Sequence, residues 1–197
     1  MSLKILGGSL KGLNVEVYGQ IRPTSVMLRR RLFDWRQNLA GWNFIDLCAG
    51  SGAIGLEALS RNATKVTWVE NNHKVFKTLI SNTTTAQKKL NTTFNKDQIQ
   101  NTTALKFLEN LKLNASDLST SSTILFLDPP YSDLELYKSV IEMLTPWFTG
   151  EIWVESDRQK GISEKELSRV LTNIRPTFYQ GTNFIFIGRL ANSNKGY

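Results

Sequence analysis

The chain has 197 residues, 41% of them hydrophobic and 21% charged, an ordinary soluble globular balance that suits one domain with a proper core. A single cysteine and a single histidine supply neither a disulfide framework nor the ligands of a structural zinc site, so no metal is expected. No apolar run reaches the length of a membrane span and Met1-Ser2-Leu3-Lys4 lacks a signal-peptide core, which makes the cytoplasm the expected compartment; the excess of 24 Lys and Arg over 17 Asp and Glu favours a polyanionic partner such as nucleic acid.

Residues 3–17 read as a small β-hairpin, punctuated by Gly7, Gly8 and Gly12 and ending in the alternation of Leu13, Val15 and Val17. Ile21-Arg22-Pro23-Thr24-Ser25 is extended, and Thr24 or Ser25 caps a helix in which Leu28, Leu32, Trp35 and Leu39 share one face. Arg30 and Asp34 face away from that stripe at the spacing of a surface ion pair. Arg22, Arg29, Arg30, Arg31 and Arg36 make this segment strongly basic, against Asp34 as its acid.

From residue 43 strands and helices alternate. Strands are predicted at 43–47, 65–70, 98–101, 123–128, 151–155, 177–179 and 184–189, and helices at 53–61, 72–89, 103–112, 133–144 and 163–171. Such alternation implies an α/β fold with a mostly parallel seven-stranded sheet covered on both faces. The last two strands are joined by Gln180-Gly181-Thr182-Asn183, too short for a crossover, so they form an antiparallel hairpin near one edge. The expected organisation is an N-terminal extension over residues 1–40 followed by a sheet domain over 41–197. Asn-, Thr- and Ser-rich stretches at 81–103 and 114–123 read as a fraying helix end and surface loops.

Phe44-Ile45-Asp46-Leu47-Cys48-Ala49-Gly50-Ser51-Gly52-Ala53-Ile54-Gly55 passes from the first strand of the sheet through a small-residue turn into a helix. Glycines at 50 and 52 admit a ligand close to the backbone, and Gly55 admits close helix–strand packing. Glu70 ends the next strand roughly 20 residues later, where an acid accepts hydrogen bonds from ribose hydroxyls. The loop lacks the Gly-Lys-Ser/Thr of a phosphate cradle, and Asp46 would repel a pyrophosphate. A cationic ligand without phosphate fits better, and S-adenosylmethionine is such a ligand.

The apolar run Ile124-Leu125-Phe126-Leu127 is a buried parallel strand stopped by Asp128-Pro129-Pro130-Tyr131. Each proline fixes φ and restricts the residue before it, so an acid, a stiff turn and an aromatic ring stand together at the carboxyl end of a strand. The carboxylate of Asp128 and the carbonyl of Pro129 are two acceptors suited to an amino group, and neither proline nitrogen can donate. Tyr131 is placed to stack on an extruded base. His73 and Cys48 have no neighbour that suggests a catalytic pair; His73 reads as a solvated residue at the start of a helix, and Cys48 as a small turn residue.

In this order, Asp46-Leu47-Cys48-Ala49-Gly50-Ser51-Gly52, Glu70 and Asp128-Pro129-Pro130-Tyr131 resemble the Rossmann-type amino-methyltransferases that use S-adenosylmethionine. Gly7-Gly8, Arg22-Pro23-Thr24, Leu32-Phe33-Asp34-Trp35, Val154-Glu155-Ser156 and Tyr179-Gln180-Gly181-Thr182 narrow the resemblance to the RsmD family. Those are bacterial methyltransferases of the guanine N2 amino group in small-subunit ribosomal RNA. The resemblance spans nearly the whole chain. The chain departs from the family pattern at Val26-Met27, where a polar or charged pair is usual, at Arg30 in place of a Glu, and at Thr103 in place of an Asp or Asn.

The resemblance implies that Asp46, Gly50 and Gly52 hold the methionine part of the cofactor, with Cys48, Ala49 and Ser51 completing the loop. Glu70 would hold the ribose, Asn71 would also bind the cofactor, the stretch at 101–104 including Thr103 would border the adenine, and Arg22 and Thr24 would close over cofactor and target. Lys4, Lys11, Arg22, Arg29, Arg30 and Arg31 would meet RNA phosphates, with Asp128, Pro129, Pro130 and Tyr131 as the catalytic set. The implied partner is ribosomal RNA or the small subunit, met by a monomer. A DNA adenine or cytosine amino-methyltransferase shares this chemistry, but it commonly carries a separate recognition segment, and only about 40 N-terminal residues are left outside the sheet domain. A glutamine side-chain methyltransferase would not need the arginine cluster. The reading from another class is a non-catalytic RNA-binding assembly factor.

Overall fold

The structure, a computed structural model, describes residues 2–19, 25–113 and 120–191. Its elements in chain order are β1 (Ser2–Lys4), β2 (Asn14–Glu16), α1 (Val26–Trp35), β3 (Asn43–Asp46), α2 (Ala53–Ser60), β4 (Lys65–Val69), α3 (His73–Leu90), β5 (Ile99–Gln100), α4 (Ala104–Leu113), β6 (Thr123–Leu127), α5 (Leu134–Leu144), β7 (Glu151–Asp157), α6 (Glu164–Val170), β8 (Leu171–Asn173), β9 (Phe178–Gln180) and β10 (Asn183–Leu190).

The main sheet runs β5-β4-β3-β6-β7-β10, with β8 and β9 both pairing on the outer edge of β10. Strands β5 through β7 are parallel, and β10 is antiparallel to β7, as the short link before it requires. The chain leaves β3 outward to β4 and β5, then returns to lay β6 on the other side of β3. Strand order therefore reverses between β3 and β6, and a crevice opens at their carboxyl ends.

Alternation along the buried strands divides the core into two layers. Ile124 and Phe126 pack with Phe44, Trp68, Trp153 and Ile187 on the face covered by α1, α2, α3 and the N-terminal hairpin. Leu125 and Leu127 pack with Ile45, Val154 and Phe186 on the face covered by α4, α5 and α6. Leu3, Ile5, Val15, Leu28 and Leu32 belong to the first layer, so the described residues of the N-terminal segment share one continuous core with the sheet.

Two local expectations need correction. The first helix ends at Trp35, with Arg36 as its C-cap, so Leu39 lies beyond it; Leu39 is still buried, its N–H donating to the Arg61 carbonyl at 2.8 Å. Leu171 begins strand β8 rather than ending a helix, because the last residues of β10, Gly188 to Leu190, are long enough to take a further edge partner. Arg30 and Asp34 are both exposed, and no ion pair joins them.

Gly55 lies against Trp68, which is fully buried; a Cβ at position 55 would stand 2.1 Å from the indole Nε1. The indole donates to the Gly52 carbonyl at 3.3 Å, so it cannot turn away freely. Gly55→Ala is expected to cost about 1–3 kcal/mol through overpacking, read as a lower midpoint in urea denaturation at unchanged slope.

Candidate active site

A cleft of about 750 Å³ occupies the reversal point, walled by Leu47, Cys48 and Gly50 from the turn after β3 and by Glu70, Asn71 and Asn72 after β4. Thr102, Thr103, Ala104 and Leu105 at the start of α4 form a third wall, and Asp128, Pro129, Pro130 and Tyr131 after β6 a fourth. Four strand ends that are far apart in sequence thus meet at one opening.

The glycine turn and the acid after β4 are one unit. Both Glu70 oxygens accept backbone hydrogen bonds, from Gly50 N at 2.9 Å and from Asn72 N at 2.8 Å. Asn101 Nδ2 donates to the Glu70 carbonyl at 2.7 Å and ties β5 to the same corner. Gly50 has φ +54°, a region glycine enters without strain, and a Cβ there would meet nothing within 4 Å. That open space above an amide turn is the cradle a ligand would fill. Each carboxylate oxygen keeps a second lone pair for a hydroxyl donor.

Asp46, Ala49, Ser51 and Gly52 are buried and do not line the cleft; they shape the turn from beneath. Asp46 Oδ2 accepts from Gly55 N at 3.1 Å in the first turn of α2, where the helix dipole favours an anion. Burial pushes its carboxyl up to about 7, opposed by the Gly55 hydrogen bond and reinforced by the charge of Glu70. The Asp46 carboxylate thus supports from beneath the loop whose Cys48 and Gly50 line the cleft. The Ser51 carbonyl accepts from Asn82 Nδ2 at 2.9 Å, and Gly52 packs against Leu79.

The cleft is acidic. Burial pushes the Cys48 thiol well above its ordinary value, and the charges of Asp128, Asp46, Glu70 and Asp133 push it further. Four carboxylates felt at one sulfur make a field that favours a cation and disfavours a phosphate. Cys48 itself stays protonated and is no nucleophile.

The Asp-Pro-Pro-Tyr turn is held by residues that sequence reasoning gave no role. The Tyr131 hydroxyl donates to Glu155 Oε1 at 3.1 Å, and Tyr137 donates to the Glu155 carbonyl at 2.8 Å and reaches the Pro129 carbonyl at 3.5 Å. Glu155 and Tyr137 are both buried, so strand β7 and helix α5 fix the turn from below. Only the three-dimensional pairing of β6 with β7 brings them together. Tyr137→Phe removes the hydroxyl that bonds the Glu155 carbonyl and stands beside the Pro129 carbonyl, without changing the ring. It is expected to lower kcat on the order of tenfold with KM for the methyl donor unchanged.

Sequence reasoning also passed over Asn72, Val75, Leu105, Asp133 and Leu136 as cleft residues. Asn72 carried a signal: it caps α3, accepting from Lys74 N at 3.0 Å and Val75 N at 3.3 Å, directly after the acid-ended strand. Thr103, which lines the cleft, caps α4 by accepting from Lys106 N at 3.3 Å. His73 is exposed at the start of α3, 3.4 Å from Asn101 Oδ1.

Of the predicted phosphate contacts, Lys4, Lys11, Arg30 and Arg31 are exposed, and Arg22 and Thr24 lie outside the described residues. Arg29 is a correction: it is fully buried. Its Nη2 donates to the Lys4 carbonyl at 2.9 Å and its Nε stands 3.8 Å from Glu57 Oε1, so its charge faces the interior and not a nucleic acid. Among the described residues no group of acids, histidine and cysteine has the arrangement of a metal site, and no helix is long and apolar enough to cross a membrane.

Comparison with known proteins agrees with this geometry. A family model described as Conserved hypothetical protein 95 matches residues 3–187. Over 167 residues the chain is 32% identical to the Ribosomal RNA small subunit methyltransferase D of Escherichia coli (strain K12), covering 81% of this chain and 77% of that protein. The solved structure of yhhF from Escherichia coli superposes with a TM-score of 0.73 at 25% identity, over 96% of this chain and 98% of that one. SMU.776, complexed with SAH, shares the fold with a TM-score of 0.65 at 11% identity, over 90% of this chain and 53% of that one. The chain belongs to the RsmD family, whose model matches it nearly end to end and whose Escherichia coli relative is the small-subunit RNA methyltransferase D.

Proposed function

We propose that this chain is an S-adenosylmethionine-dependent methyltransferase of small-subunit ribosomal RNA, and that its target is the exocyclic N2 amino group of a guanine. The observation that carries the reading is the facing of two constellations across one cleft: the Gly50–Glu70 corner on one wall and the Asp128–Tyr131 turn on another. Ribosomal RNA as substrate follows from the family, and guanine N2 rests on the RsmD resemblance.

The residues present fit the cofactor. Glu70 has lone pairs for ribose hydroxyls, Gly50 leaves room beside an amide turn, and Asn71 and Thr103 border the space left for the adenine. When bound, S-adenosylmethionine supplies an electrophilic methyl on a positively charged sulfur, and the acidic cleft suits that charge. The amino nitrogen of a base is a poor nucleophile because its lone pair is delocalised into the ring. Asp128 and the Pro129 carbonyl accept its two hydrogens and draw that lone pair out of conjugation. The Asp128 carboxylate also stabilises positive charge developing on the nitrogen. Tyr131, its hydroxyl fixed on Glu155, offers its ring to the extruded base, and positioning supplies much of the remaining acceleration.

Tritiated cofactor incubated separately with small subunits, naked ribosomal RNA, DNA and protein tests the reading, followed by nucleoside analysis of the labelled fraction. Label in N2-methylguanosine is expected. Label in DNA or protein alone would replace the substrate, and label nowhere would favour the non-catalytic RNA-binding factor.

A pH effect follows from Asp46. A cation bound near it favours its ionised form, so donor binding is linked to proton loss and tightens as pH rises through about 7. SAH lacks the sulfonium charge and gains less. Calorimetry at about pH 6 and about pH 8 should show the ratio of the two affinities moving several-fold toward the donor. Asp46→Asn should flatten that change.

A further inference from the structure

On one side of the cleft the rim is built by three segments that touch one another. Ser25, the cap of α1, contacts Gln180 at the β9–β10 turn, and Arg31 Nη1 donates to the Tyr179 carbonyl. Arg158, directly after β7, donates its N–H to the Thr182 carbonyl at 2.9 Å, and its guanidinium carbon lies 4.2 Å from the centre of the Tyr179 ring. Lys160 follows in the same turn, exposed like Arg31 and Arg158.

The acids nearby leave this rim positive. Asp157 is buried and occupied by the Thr182 hydroxyl at 2.5 Å and by the Gln159 and Lys160 N–H groups. Glu164 is shared between Arg158, at 3.1 Å, and the Tyr179 hydroxyl, at 2.5 Å, which holds the guanidinium over the ring without covering it; the Arg158 side chain remains 51% exposed. Asp34 is the exposed acid on the same helix as Arg31. Val26 and Met27, on the first turn of α1, are 43% and 45% exposed, so apolar surface lies beside the cations. Cations, a ring and exposed apolar side chains together suit a single-stranded nucleic acid, whose phosphates and base faces need both.

The rim is also correctly placed. Glu155, three residues before Arg158 on the same strand end, holds the Tyr131 hydroxyl, so Arg158 stands about 10 Å along the strand from the residue that anchors the catalytic turn. A strand that delivers a base to Tyr131 carries its flanking phosphates across this distance.

We propose that the first turns of α1, the β9–β10 hairpin and the turn after β7 form an RNA-docking surface on which Arg31, Arg158 and Lys160 bind phosphates flanking the target nucleotide. The inference rests on the reading of the cleft as an RNA methyltransferase site, and the wild-type protein separates the two. If it transfers no label to RNA, that reading fails. If it does, the variants decide the docking surface.

Arg31→Glu with Lys160→Glu should raise KM for RNA at least tenfold at about 0.15 M salt. It should also reduce the slope of log affinity against log salt by about 2. Donor affinity and kcat at saturating RNA should hold. Lys160→Glu alone, at an exposed side chain, should reduce the slope by about 1 and keeps the test valid if the double variant folds poorly. Lys112→Glu, an exposed lysine on α4, makes the same charge change away from the rim. An unchanged slope in the Lys160 variant, or an equal loss in the Lys112 variant, overturns the proposal.

Discussion

Asp128→Ala is expected to lower kcat for methyl transfer on the order of 10³-fold while calorimetric binding of the methyl donor survives. The size follows from what the carboxylate does: it accepts an amino hydrogen and stabilises charge that appears only as the new bond forms, and losing one such pre-placed group typically costs 10²–10³-fold in kcat. Binding should survive because the proposed donor site is elsewhere, at the Gly50–Glu70 corner and the start of α4. Asp128→Asn separates charge from geometry. It keeps an acceptor oxygen and loses the charge, so it should fall between wild type and alanine. Single-turnover transfer of labelled methyl, run beside donor binding, checks both. Joint loss of binding and transfer in Asp128→Ala would make the residue structural and remove the chemical argument.

Glu57→Ala is the second large effect, and it acts on stability. Glu57 is fully buried, paired with Arg61 and 3.8 Å from the Nε of Arg29, and it accepts the Leu6 N–H. One acid therefore holds together the N-terminal segment, α1 and α2. Without it two cations are left beside each other in the core, Arg29 with no exposure and Arg61 with 7%. Arg29 already titrates below its ordinary value, burial outweighing the attraction of Glu57. Breaking a buried pair by removing one partner costs about 3–5 kcal/mol, much of it the charge left behind. Urea denaturation measures this directly. Arg29→Met placed on Glu57→Ala should restore part of the loss, because it removes one of the two orphaned charges; no recovery would show that lost packing, and not charge, dominates.

Arg29 also shows where reading along the chain stops. Its neighbours Arg30 and Arg31 are exposed, and by composition all three look alike. What separates them is the helical turn: position 29 faces inward beside Leu28, Leu32 and Phe33, and the charge is tolerable there only because Glu57, twenty-eight residues on, arrives at the same point. Asp46 is a second residue whose surroundings only the folded chain reveals. An acid ending the first strand before a glycine turn reads as a ligand contact, yet its carboxylate meets the Gly55 N–H under the loop and the ligand space lies above it.

Most of the strands and helices, the antiparallel hairpin and the two motifs at strand ends were legible in the residues alone, whereas β8 was not. They depend on periodicity, on proline and glycine stereochemistry and on turn length, all of which are local. Glu155 and Tyr137 under the catalytic turn, Glu57 between two arginines, and the joining of α1 with the hairpin into one basic rim came only from the folded chain. Each is a contact between segments distant in sequence, and such contacts are set by how strands order and helices pack, which no local pattern encodes.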